Sequence, residues 1–186
     1  MIPEECPPQP YSGCLLLASP ALQEATFHRT VILLSSHSVG EGAFGYILNR
    51  PVELSISDLL PMEGLDGLRS VPVFEGGPVG QDHLTFASLG WDTSANELIY
   101  ETHLSSQDAV RHVAEGFSVR AFVGYSGWSA GQLENELELD SWELQTPAVD
   151  LVDHENMTQG MWTELVREIS PIHRLEADLP DDVTLN

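Results

Sequence analysis

A chain of 186 residues, 42% of them hydrophobic, has the length and apolar content for one domain with a real core. Its 29 acids face seven arginines and no lysine, a formal net charge of −22 that argues against gripping nucleic acid directly and against docking on an anionic membrane, since both need cations. Without lysine there is no Schiff-base chemistry and no GxxxxGK phosphate loop.

The opening MIPEECPPQP is proline-rich, acidic and aperiodic, so residues 1–10 read as a tail. The acidic, proline-broken end reads as a second tail over residues 172–186, leaving a body over residues 11–171. Cys6 and Cys14 form no CxxC and have no second pair, which excludes a disulfide framework or a zinc ribbon. Cys14 stands in the apolar run GCLLLA and reads as a buried strand thiol. No apolar run approaches the ~20 residues of a membrane helix. With no signal-peptide pattern at the start, the expectation is a cytoplasmic protein.

In chain order, SGCLLLA, RTVILLSSH and FGYILN read as strands, the last stopped by Pro51. SISDLLP reads as a short serine-capped helix, and PVFEGGPV as a strand entering a glycine turn. HLTFASL and ELIYET have strand composition. SSQDAVRHVAEG reads as a helix burying Val110, Val113 and Ala114. The next strand, SVRAFVGY, is read as ending near Val123. A helix is then expected from Ser129, followed by SWELQ, VDLV and a last helix carrying Trp162, Leu165, Val166 and Ile169 on one stripe. Strands dominate the first half and helices the second. That order predicts an α+β fold, a single compact domain with a mixed, largely antiparallel sheet covered by helices.

Residues 127–131, GWSAG, satisfy the GxSxG pattern of a nucleophile elbow, in which a strained strand-to-helix turn exposes a reactive serine. Ser129 with a downstream acid and His154, or His173, would give the order of a hydrolase triad. The residues favour another reading. With the strand ending near Val123, five residues separate it from Ser129, whereas Ser129 as N-cap with Gln132 at N3 makes an S-x-x-Q capping box. Ala130, Leu133 and Leu137 would then form the buried face.

No metal site is expected, because HxH and HExxH are absent and Asp82–His83 and Asp153–His154–Glu155 are adjacent residues pointing apart. The candidates for ligand binding are Arg29 and Arg50 at strand borders, with Asn49, Gly76, Gly77 and Gln132, a set suited to a carboxylate or phosphate. Against that stands the plainer reading that each arginine pairs with an acid and pins a loop. For the two glycines it is a turn needing positive φ.

Taken together, PALQEATFHRTVILLSSH, GAFGYILNRP, FEGGPV and GYSGWSAGQLENEL, in this order and followed by SW, PAVDLV and a tryptophan-bearing last helix, resemble the YqgE/AlgH family over about residues 12–169. The resemblance implies a compact domain with a mixed sheet from bacterial cytoplasm. It brings no agreed enzyme activity, catalytic residues or cofactor. The AlgH name implies regulation of alginate synthesis at the transcriptional level. The family pattern GYxGWxxGQLE leaves the positions of Ser126 and Ser129 variable, which weakens a hydrolase reading. The expected mode of action is therefore non-catalytic binding of a protein or small-molecule partner, with no cofactor and no direct nucleic-acid contact.

Overall fold

The computed structural model describes residues 11–169, so both expected tails lie outside the described residues. Two apolar runs start the sheet, β1 (Leu15–Ala18) and β2 (Val31–Ser38). Both are buried on both faces, which is why neither shows a polar alternation. Leu15, Leu17, Val31 and Leu33 enter one core, while Leu16, Ala18, Ile32 and Leu34 enter another on the opposite face. Each such leucine contributes roughly 1.5–3 kcal/mol by leaving water.

The remaining strands are β3 (Gly42–Ile47), β4 (Val73–Glu75), β5 (Val79–Asp92), β6 (Glu97–Leu104), β7 (Ser118–Trp128) and β8 (Trp142–Gln145). The sheet order is β6-β5-β7-β3-β2-β1-β8, every pair along it antiparallel, with β4 added parallel to β7. The fold is thus α+β with a mixed, largely antiparallel sheet, as the sequence predicts.

Helices cover the sheet by their apolar stripes. α1 (Ile56–Leu59) and α2 (Ser106–Ala114) cover the β4–β5–β7 flank through Ile56 and Ala109. The buried face of α2 is centred on Ala109 and His112, with Val110 and Val113 partly buried and Ala114 exposed, a small correction to the expected stripe. His112 is buried because its Nδ1 meets the Ser88 hydroxyl at 2.8 Å. α3 (Gln132–Glu138) covers one face of the β1–β2–β3 flank through Leu133. α4 (Met161–Ile169) covers the other through Trp162 and Val166, and Trp162 Nε1 donates to the Ala18 carbonyl at 2.8 Å.

VDLV forms a 3-10 turn, Val149–Val152, held by Arg120 of β7. Arg120 is 0% exposed and its Nη2 donates to the carbonyls of Leu151 at 2.7 Å and Val152 at 2.9 Å. Burial pulls its guanidinium down to about 10, against the opposing charge of Asp153, so it stays charged at neutral pH. Cys14 is buried, as expected for its apolar run, but it is disulfide-bonded and not a thiol. Cys6 lies outside the described residues. No helix among the described residues is long and apolar enough to cross a membrane.

Candidate ligand-binding site

β7 carries the local chemistry around Ser129, and it is longer than the sequence suggests. It runs to Trp128, pairing Gly127 with Phe44 and Ser126 with Gly45, so Ser129 follows the strand directly. That corrects the expected strand end near Val123 and removes the spacing objection to an elbow. Backbone geometry supplies a better one. The non-glycine residues with positive φ among those described are Arg29, Asn96, His103 and Asp140; Ser129 is not held in such strain.

Nor does Ser129 cap the helix. The N-cap of α3 is Gly131, left-handed at φ 75°, and the helix starts at Gln132. What survives of the capping box is its return arm, in which the Ser129 backbone N–H donates to Gln132 Oε1 at 3.0 Å. The Ser129 hydroxyl is exposed and makes no hydrogen bond among the described residues. Ala130, expected on the buried face, is exposed and precedes the helix. The junction is set instead by Glu136, whose Oε2 accepts from Trp128 Nε1 at 2.8 Å and Trp142 Nε1 at 2.7 Å while Oε1 accepts from Gln132 Nε2 at 2.9 Å.

His154, the histidine of the triad reading, sits in a 3-10 turn (His154–Asn156), its Nδ1 3.6 Å from Asp153. That turn leads into Met157, which packs in the core of the sheet face opposite the one α3 covers. His154 is not among the residues that line the cavity holding Ser129. His173 lies outside the described residues.

The histidine that does share a cavity with Ser129 is His103. A trough of 530 Å³ is lined by Ala43, Phe44, Val79, His103, Tyr125 and Trp128 with Ser129. A second lobe of 340 Å³ adds Tyr46, His83 and Thr85, and the two share His103 and Tyr125. Four rings shape the trough. Phe44 meets Tyr46 at 89° and Tyr125 at 82°, with centroids 6.3 and 6.4 Å away, and lies 4.8 Å from the His103 ring.

Local structure explains the arrangement. β6 curls toward β2, where the Thr102 and Ser35 hydroxyls bond at 2.5 Å and Tyr100 Oη donates to the Ser35 carbonyl at 3.2 Å. Leu104 is buried. With both neighbours anchored, His103 between them is turned outward at φ 58° into the trough. Its ring nitrogens lie 3.4 and 3.5 Å from the Tyr46 hydroxyl. Burial pushes the Tyr46 phenol up to about 12, so it remains a neutral hydroxyl. Tyr125 at 37% and Val79 at 40% leave apolar surface open to solvent. Rings, hydroxyls and imidazoles suit the trough to stacking and weak polar contact, and among the described residues the serine in it has none of the hydrogen-bonded base that nucleophilic catalysis needs.

Of the proposed ligand set, the structure gathers Arg29, Asn49 and Arg50 in one cleft of 320 Å³ with His28, Glu75 and Gln159. Asn49 is 2% exposed and committed to backbone: its Oδ1 accepts from the Val31 N–H at 2.9 Å and its Nδ2 donates to the Arg29 carbonyl at 2.9 Å. It holds Arg29 at φ 53°, and the Arg29 guanidinium lies 5.1 Å from the Trp162 ring centre. Arg50 lies 3.9 Å from the Glu75 carboxylate and donates to the Ala25 carbonyl at 3.4 Å, as a loop-pinning arginine would.

Gly76, Gly77 and Gln132 are not part of that cleft. A Cβ on Gly76 would strike the Gly124 carbonyl, and one on Gly77 the backbone of Tyr125 and Ser126. Close passage of two backbones explains both, and positive φ is present at Gly77 alone. No group of three or more metal-ligating side chains that could hold an ion occurs among the described residues.

The trough went unpredicted because its rings come from three strands distant in sequence, and only the strand register brings them together. One signal was available: in GYSGW the outward residues of an extended strand would be Tyr125 and Gly127, an aromatic left facing solvent.

A model of the AlgH-like family matches residues 15–173. A "UPF0301 protein" from Thermobifida fusca is 33% identical, covering 94% of this chain and 95% of its own length. Another from Streptomyces avermitilis is 35% identical over the same shares. Among solved structures, protein DIP2367 from Corynebacterium diphtheriae superposes with TM-score 0.67 at 21% identity, covering 96% of this chain and 95% of that one. The AlgH protein from Pseudomonas aeruginosa superposes with TM-score 0.62 at 24% identity, covering 96% and 100%. At such identities the two structures speak to fold alone.

Proposed function

The chain belongs to the AlgH-like family, which has bacterial members, and on that premise we propose that it is a non-catalytic binding or regulatory domain of the cytoplasm, acting through a partner it holds in the aromatic trough. The observation that carries this reading is the trough itself: solvent-open rings of Phe44, His103 and Tyr125 around a serine with no hydrogen-bonded base among the described residues. With a net charge of −22, any effect on transcription runs through that partner and not through direct DNA contact.

An NMR fragment screen on the full chain tests it. Binders should shift signals of Phe44, His103, Tyr125 and the Trp128 indole together. A fluorophosphonate probe should leave Ser129 unlabelled. Stoichiometric labelling of Ser129 would replace binding with catalysis as the role of this site.

A further inference from the structure

The trough's chemistry narrows what it binds. Among the described residues no arginine lines either lobe; the polar groups are hydroxyls of Tyr46, Thr85, Tyr125 and Ser129 and the imidazoles of His83 and His103. At the rim, the Asp82 carboxylate lies 2.8 Å from His83 Nδ1 and is exposed. An anion would enter this space against a net charge of −22 and find no guanidinium among the described lining residues to receive it.

The rings favour the opposite charge. Phe44 stands nearly perpendicular to both Tyr46 and Tyr125, and Phe44 and Tyr125 both line the open lobe. The faces of such rings carry the negative end of the ring quadrupole. The acidic surface concentrates cations around the molecule, and a concave, partly apolar site focuses that field. Lobes of 530 and 340 Å³ fall within the ~300–1,000 Å³ of small-molecule sites.

We propose that the trough binds a small organic cation, a quaternary ammonium or guanidinium head on a short apolar body, with Phe44 and Tyr125 as the ring walls that face the head. This rests on the reading of the trough as the binding site. A neutral ligand of equal shape would fill the same space but gain nothing from the field or the ring faces.

The test titrates the full chain with choline and with its neutral carbon isostere 3,3-dimethylbutan-1-ol, following ring and indole signals by NMR. Choline should perturb Phe44, Tyr125 and Trp128, bind about tenfold or more tighter than the isostere, and weaken as salt rises. Tyr125→Leu should lose about tenfold in choline affinity and Tyr125→Phe should retain it. Thermal melts confirm that both variants fold, and Tyr125 is exposed enough for either side chain. Equal affinity for the isostere overturns the cation and leaves the trough a binding site. Binding of an arginine peptide without choline overturns the small ligand. Choline shifts that map elsewhere, or unchanged affinity in Tyr125→Leu, overturn the site assignment. A trough silent to both ligands and to fragments overturns this inference and the proposed function together.

Discussion

Two helix entrances in this molecule share a sequence pattern and differ in structure. Ser105-Ser106-Gln107-Asp108 and Ser129-Ala130-Gly131-Gln132 both read as S-x-x-[acid or amide] before a helix. At the first, Ser105 is the N-cap and its hydroxyl accepts from the Asp108 N–H at 3.1 Å. At the second, the serine is two residues too early and a left-handed glycine stands at the cap. A capping pattern sets a helix start when nothing stronger fixes the chain nearby. Around Ser129 something stronger does: β7 continues to Trp128, and Glu136 ties that indole and Trp142 to the middle of the helix.

The largest effect should therefore come from the tie and not from either serine. Glu136→Ala leaves two indole N–H groups without their acceptor, and both tryptophans are buried. Charge-assisted hydrogen bonds to buried donors predict a loss of about 3 kcal/mol in a denaturant titration. A loss below about 1 kcal/mol would mean that the junction is fixed by something else. Next in size is Gly131→Ala. An added Cβ there meets nothing within 4 Å, so the cost is backbone strain at φ 75°, about 1–2 kcal/mol. A neutral melt for this variant would show that the cap is not left-handed in solution.

The same contrast marks how far the fold was legible. β1, β2 and α4 could be read because apolar runs and a helical stripe record burial directly. The second half of β7 could not, because its inward positions are Gly124 and Ser126, small residues demanded by close neighbours. Ser126 is 0% exposed and donates to the Gly76 carbonyl at 3.2 Å, while a Cβ on Gly124 would approach the Gly77 carbonyl to 2.5 Å. Where backbones pass this closely, hydrophobic periodicity disappears although burial does not. That is why the periodicity points to a strand end near Val123 although β7 runs on to Trp128 and meets Ser129. The arginine cleft was partly legible, since Asn49 and Arg50 are neighbours and Arg29 lies opposite across the β2–β3 register, with Ile32 pairing Ile47. No strand register links Gln132 to that cleft, and it does not line it.

A smaller effect separates the two serines by pH. Ser105→Ala should cost about 1 kcal/mol at neutral pH. The Asp108 carboxyl is held below its ordinary value, first by its hydrogen bond from the Ser105 side chain. A depressed folded value contributes stability above the unfolded value, near 3.9, and loses it as pH falls through the folded one. The gap between wild type and Ser105→Ala should therefore be constant near neutrality and narrow in acid below about pH 4. Melts at pH 7 and pH 3 compare the two, and a gap that widens in acid would sink this account of Asp108.

The smallest expected effect is at Ser129. Its hydroxyl makes no hydrogen bond among the described residues, and the arm that survives joins its backbone N–H to Gln132, so any side chain at 129 keeps it. Ser129→Ala and Ser129→Asp should both melt within about 0.5 kcal/mol of wild type, with no gain for aspartate, because residue 129 is not where the helix dipole begins. Gln132→Ala, which deletes the arm, should cost more than either. A loss of about 1 kcal/mol in Ser129→Ala, restored by aspartate, would instead mean that the serine caps the helix in solution. The catalytic reading makes a separate demand: wild-type protein would hydrolyse an ester, and alanine would remove that rate with the melt unchanged. The exposed hydroxyl, the unstrained backbone and a His154 outside the cavity predict no turnover by any of the three proteins, leaving Ser129 as one wall residue of the trough.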